Sequence, residues 1–216
     1  MLGSNYLLTK ILTVPAILIA FVAQGYAKAK VADKLGDKTP RFQGRLTLNP
    51  TAHIDIIGFI MILLVGFGWT KPVDTNPSAY KRGQKDAIKV TMAAPLANLL
   101  VGFVGMFIYA LWSYIAYSIL PSSTYSIVGI ALYLISAINI NLFVFNLIPL
   151  PGLAGFELFR ELNPRSFYKV ADKLYQYQMV ILLAIVVVGQ FILTIPSNLI
   201  INLFSKIAFG VLGIIF

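Results

Sequence analysis

The sequence predicts an all-α membrane protein, a polytopic helical bundle with one re-entrant segment. Three observations predict it. Long apolar runs alternate with short basic stretches along the chain. Charged residues make up 12% of the 216 residues and hydrophobic ones 58%, whereas a soluble domain carries about 25% charged residues. One apolar run, residues 54–69, holds Asp55 and glycines 58, 66 and 68. It is too short and too interrupted for a clean span and suits a segment that enters and leaves on one side. The length fits a single membrane domain over 1–216 with four to six spans of roughly 20 residues. With no cysteine and one histidine, disulfides and thiolate metal sites are excluded.

Residues 6–27 read as the first apolar helix, with Pro15 inside it as a source of a kink. It has no basic n-region, so it does not read as a cleavable signal. The stretch 28–52 is polar and basic, and Phe42 to Leu48 partly alternates, a pattern compatible with a short strand at the membrane surface. After the re-entrant run comes a second basic loop, 71–89, and then a long apolar run, 90–120, with Pro95 near its start. Pro121 to Thr124 reads as an uncharged turn, and 125–150 returns across the membrane to end at Pro149 and Pro151. Residues 152–176 are polar again. Residues 177–195 read as a strong span, broken at Pro196-Ser197-Asn198, and 199–216 as a further span or an interfacial helix.

The charges set an expected topology. Loops 28–52, 71–89 and 152–176 hold 15 of the 17 Lys and Arg residues, and the turn at 121–124 holds none. If 54–69 crossed the bilayer, the two basic loops around it would lie on opposite sides. The positive-inside rule therefore favours the re-entrant reading, a cell-membrane location, cytoplasmic basic loops and an N-terminus outside. The net charge of +9 is explained by this pattern and does not call for nucleic acid as a partner.

Certain phrases carry more specific information. Residues 34–76 contain KLGD, QGRLTLNP, AHID-IG and GFGW-KPV, AAPLAN includes Asn98, and residues 139–155 contain N-INL--FNLIPLP-L-G. Together these resemble the site-2 protease family of intramembrane zinc metalloproteases, over about residues 10–160. Residues 161–216, read as a cytoplasmic loop, one span and the last segment, carry no phrase of that family. The resemblance implies zinc as cofactor, an H-E-x-x-H motif just before KLGD, and a third ligand in an L-D-G phrase. Here the first slot reads Gln24-Gly25-Tyr26-Ala27-Lys28 and the second Leu153-Ala154-Gly155.

That chemistry needs two histidines one helical turn apart and a glutamate beside the first to take a proton from zinc-bound water. Gln24 offers a neutral amide, Gly25 no side chain, Lys28 a positive charge and Ala154 nothing. No realignment restores the motif, because the chain has one histidine. The expectation is therefore no catalytic residue, no metal site and no zinc. A substitute Ser–Lys pair is disfavoured, since no serine stands in the slot and Lys28 reads as a snorkelling anchor at a helix end. His53 and Asp55 would point about 200° apart on a helix. They read as partners of backbone groups in the re-entrant turn.

The resemblance implies a groove in which an extended substrate segment lies. Asn139, Asn141, Asn146, Pro149, Pro151 and His53 are its candidate residues; the plainer reading is that the asparagines tie helices together. The expected function is an inactive member of this family. It would act as subunit, scaffold or regulator, binding a transmembrane or extended segment of a partner protein, with homo- or hetero-oligomeric assembly open. Two alternatives stand beside it: an active intramembrane zinc endopeptidase, and a membrane transport or channel subunit. The nearly charge-free spans speak against the last.

Overall fold

The first helix of the computed structural model, α1, runs Leu2–Leu35, well past the expected end at residue 27. The structure describes residues 2–65 and 68–215, with side chains for all of these except 2–6, 65, 182–183 and 185–192. Lys28, Lys30 and Lys34 made the end of α1 look like loop, yet Ala29, Ala32 and Asp33 on the same stretch are buried. Asp33 is held by Arg41, whose Nε and Nη2 donate to its two oxygens at 2.9 and 2.8 Å.

The expected surface strand at 42–48 is absent; no strand occurs among the described residues. A short helix, α2 (Thr39–Phe42), is followed by a turn at Gly44 with φ +69°. Arg45, buried, then donates to the carbonyls of Ala52 and, at 2.7 Å, Pro72. The alternation that suggested a strand reflects Arg45 turning inward between exposed Gly44 and half-buried Leu46.

The family phrases are mostly architectural. In KLGD, Gly36 adopts φ +116°, and a Cβ there would lie 2.7 Å from the Ala79 carbonyl. Asp37, buried, accepts the Thr39 and Asn76 N–H groups at 2.9 and 2.7 Å. In LTLNP, Asn49 caps a single 3-10 turn by accepting the Thr51 N–H. Asp55 caps the next helix, α3 (Ile56–Val65), by accepting the Gly58 N–H at 2.8 Å, which is ordinary N-cap chemistry.

The re-entrant reading holds. At ten residues, α3 spans about 15 Å, half of a hydrocarbon core of about 30 Å. The chain then comes back beside itself: the Lys71 N–H donates to the His53 carbonyl at 3.0 Å. Gly58 and Gly68 face each other so closely that a Cβ on either would lie within 2.0 Å of the opposing backbone. Gly66 and Phe67, also part of that phrase, lie outside the described residues. At the deep end of α3, Lys10 of α1 donates to the Leu63 carbonyl at 2.6 Å.

Two full crossings follow, α4 (Gln84–Ile115) and α5 (Ser122–Asn146). They pack through small residues: the Ser136 hydroxyl donates to the Gly102 carbonyl at 2.7 Å in a buried contact, and Ile140 fills the space over Gly102. This is how membrane helices gain packing without a hydrophobic driving force. Next come two amphipathic helices, α6 (Ala154–Leu162) and α7 (Pro164–Gln176), which bury Phe156, Phe167 and Ala171 between them.

The last helix, α8, is continuous over Gln178–Ile215 and passes through Pro196, so the expected break there does not occur. Its 38 residues reach about 57 Å. Its C-terminal half carries Ile201, Ala208 and Leu212, which pack on Met106, Ala110 and Ile140 of α4 and α5. Among the described residues, four helices are long and apolar enough to cross a membrane, within α1, α4, α5 and α8. The protein is an all-α polytopic membrane protein. Contacts gather the three basic loops at one end: Gln43 donates to Asp74, and Gln84 to the Glu161 carbonyl.

Candidate functional site

One cavity of about 430 Å³ opens at that end, and Gln24, Gly25, Lys28, Asn146, Ala154 and Glu157 all line it. The two phrases that the family's metal chemistry would occupy thus meet in space. α1 supplies the first three positions, with Gln24 and Lys28 about one turn apart. The close fit of Gly155 against the Leu147 carbonyl, where a Cβ would lie 2.2 Å away, sets the start of α6 against the end of α5.

Each of the three H, E and H positions of the slot has an internal contact. Gln24 is buried, and its Oε1 accepts from Asn98 Nδ2 and Asn146 Nδ2, each at 3.1 Å. One amide oxygen therefore joins α1, α4 and α5. Asn98 and Asn146 come from two of the recognised phrases, and both converge on the first ligand position. Asn146 also donates to Leu142 of its own helix at 2.9 Å.

Gly25 leaves no room for a base. A Cβ there would lie 2.3 Å from Nδ1 of His53, which is fully buried. His53 Nε2 lies 2.8 Å from the Thr47 carbonyl, which places the proton on Nε2 and leaves Nδ1 as a lone pair. Nδ1 has no hydrogen-bond partner. Burial pushes the His53 pKa below its ordinary 6.5, and the nearby Arg45 charge adds to this, against the Thr47 bond. His53 is thus a neutral packing group whose ring bonds the Thr47 carbonyl upstream of the re-entrant segment, and Asp55 alone of the pair bonds backbone within it.

Lys28 does not snorkel. Its Nζ donates to Glu157 Oε1 and Oε2 at 3.1 and 3.0 Å, and the Thr91 hydroxyl donates to the same carboxylate at 3.1 Å. Glu157 lies three residues, nearly one helical turn, after Ala154, so it shares a face with the position of the third ligand. Glu157, Thr91 and Asn98 escaped sequence reasoning as site residues. The i, i+3 spacing from Ala154 and the i, i+7 spacing from Thr91 to Asn98 were the available signals.

Of the groove candidates, Asn146 lines the cavity and His53 stands behind Gly25. Asn139, buried, donates to the Ile135 carbonyl of its own helix at 2.8 Å. Asn141 and Pro149 are exposed and Pro151 is half-buried; none of these four lines the cavity. Among the described residues, no three of His, Cys, Asp and Glu converge. A tetrahedral zinc site takes imidazole, thiolate or carboxylate donors. Gln24, Lys28 and Ala154 offer none, and the carboxylate of Glu157 is already bound to a cation, so these residues do not fit the metal.

Helices that converge on one cavity, one carrying the H-E-x-x-H slot and one the L-D-G slot, define a metalloprotease-like membrane protein. The chain is 34% identical over 199 residues to "Putative zinc metalloprotease YwhC" of Bacillus subtilis (strain 168), covering 88% of this chain and 90% of that protein. The chain belongs to that protein's family, a site-2-protease-like family. No protein-family model matches the chain, and no solved structure does.

Proposed function

We propose that this chain is a non-proteolytic, zinc-free member of its family that holds a transmembrane or extended segment of a partner protein in the cavity, as subunit, scaffold or regulator. The observation that carries this reading is that the former catalytic positions are occupied by mutually supporting contacts. Gln24 is bridged by two asparagines, Gly25 is filled by His53 and Lys28 is paired with Glu157. A polar tie between α1, α4, α5 and α6 does the structural work that a shared metal would do, and leaves the cavity open.

The location that goes with this reading is the cell membrane, with the three basic loops in the cytoplasm. The name of the Bacillus relative favours a second reading, an active zinc protease. That reading requires a donor set and a base from outside the positions described. A photo-crosslinking residue in place of Asn146, used in native membranes, tests the first reading. A discrete protein adduct, lost when the residue is moved to lipid-facing Leu100, is expected. Lipid adducts alone would contradict it.

A further inference from the structure

The Lys28–Glu157 pair has the form of a docking site closed by a stand-in. The Lys28 side chain is 16% exposed and that of Glu157 34%. The two belong to different elements, the membrane helix α1 and the surface helix α6. The Glu157 carboxylate is held by Lys28 and Thr91, and being one-third exposed it can turn into water at little electrostatic loss. Lys28 has no such exit, so its charge requires an anion inside the cavity. Beside the pair the cavity keeps an apolar wall of Phe21, Trp69, Leu142 and Phe145.

The other charged groups that line the cavity are already engaged. Arg160 is paired with Glu161 at 2.9 Å, and Asp74 accepts from Gln43 at 3.1 Å. Lys28 is the cavity cation whose partner is freer to leave, since Glu157 is 34% exposed and Glu161, the partner of Arg160, 16%.

Taking the binding role proposed above as its basis, we infer that the cavity recognises a carboxylate on an apolar peptide segment, which displaces Glu157 from Lys28. Glu157 is then an intrasteric competitor: it keeps the site neutral when empty and sets a threshold for entry. An occupant without a carboxylate would leave the pair closed and meet only the apolar wall.

The test uses the full chain in nanodiscs and one probe in two forms, dansyl-Leu-Val-Leu as the free acid and as the C-terminal amide, followed by fluorescence. The acid is expected to bind at least tenfold more tightly than the amide. Glu157→Gln, which keeps a hydrogen-bond acceptor for Lys28 and removes the competing charge, is expected to widen that ratio severalfold. Lys28→Met is expected to abolish it. Equal binding of acid and amide to the unsubstituted chain overturns this inference and leaves the binding role standing. Failure of both forms to bind, together with no protein adduct at position 146, overturns the binding role as well. The acid-to-amide comparison needs no variant, so a substitution that fails to fold does not remove the test.

Discussion

Replacing Gln24 with leucine should uncouple three helices at once. Its Oε1 accepts from Asn98 and Asn146. Asn146 would keep its bond to the Leu142 carbonyl, so most of the loss falls on Asn98. That residue is fully buried and its own Oδ1 already lacks a partner. Gln24→Leu therefore leaves a buried amide with neither end satisfied. An orphaned buried polar group costs about 1–3 kcal/mol, while interhelical hydrogen bonds in membranes average about 0.6 kcal/mol. The sum expected for Gln24→Leu is about 2 kcal/mol. Asn98→Leu removes the orphan along with the bond and should cost about 1 kcal/mol or less. The double variant should then be no less stable than Gln24→Leu alone. Equilibrium unfolding in mixed micelles with increasing dodecyl sulfate reads all three. A Gln24→Leu loss under about 0.5 kcal/mol, or losses that add within about 0.5 kcal/mol as for independent sites, would refute the bridging role.

Three further predictions follow from the same contacts. Gly25→Ala should destabilise by about 2 kcal/mol, the usual scale of overpacking, and adding His53→Ala should return part of that loss in the same unfolding assay. Glu157→Leu should destabilise more than Lys28→Leu, roughly twofold, because the stranded lysine is the more deeply buried partner and an unpaired buried charge is the costly outcome. His53 has a lowered pKa in the folded chain, so the unfolded chain takes up a proton first as pH falls. Stability from this residue is complete above pH of about 6.5 and declines below it, toward the lower folded pKa. A melting-temperature profile from pH 7.5 to 5 should show a fall that is shallower in His53→Gln.

Much of this architecture was legible because the bilayer imposes long apolar segments. α4 and α5 stand nearly where the apolar runs place them, and the ten-residue α3 was marked by its short length and glycines. What misled was charge at helix ends. Lys28, Lys30 and Lys34 read as loop, but α1 continues because Asp33 finds Arg41 and because Ala29 and Ala32 are buried, Ala32 against Tyr80, Ala87 and Val90. Pro196 read as a break, yet it stays within α8, as proline can in membrane helices. The absence of metal-ligand residue types from the slot was fully readable, since one histidine cannot supply the pair. What fills the slot was not, because Lys28 and Glu157 are 129 residues apart and Gln24 and Asn98 are 74 apart. Such pairs are set by helix packing. The groove asparagines divided on rotation about one helix axis: Asn146 turns inward to Gln24, and Asn141 turns out.

In the proposed reading, side-chain contacts stand where a metal would. Zinc content per protein, measured by elemental analysis on chain purified from zinc-supplemented cells, tests it most directly when paired with melting temperature before and after chelation. Zinc far below one equivalent and a melting temperature that chelation leaves unchanged are expected. One zinc per chain, with a melting temperature that drops on chelation, would contradict it.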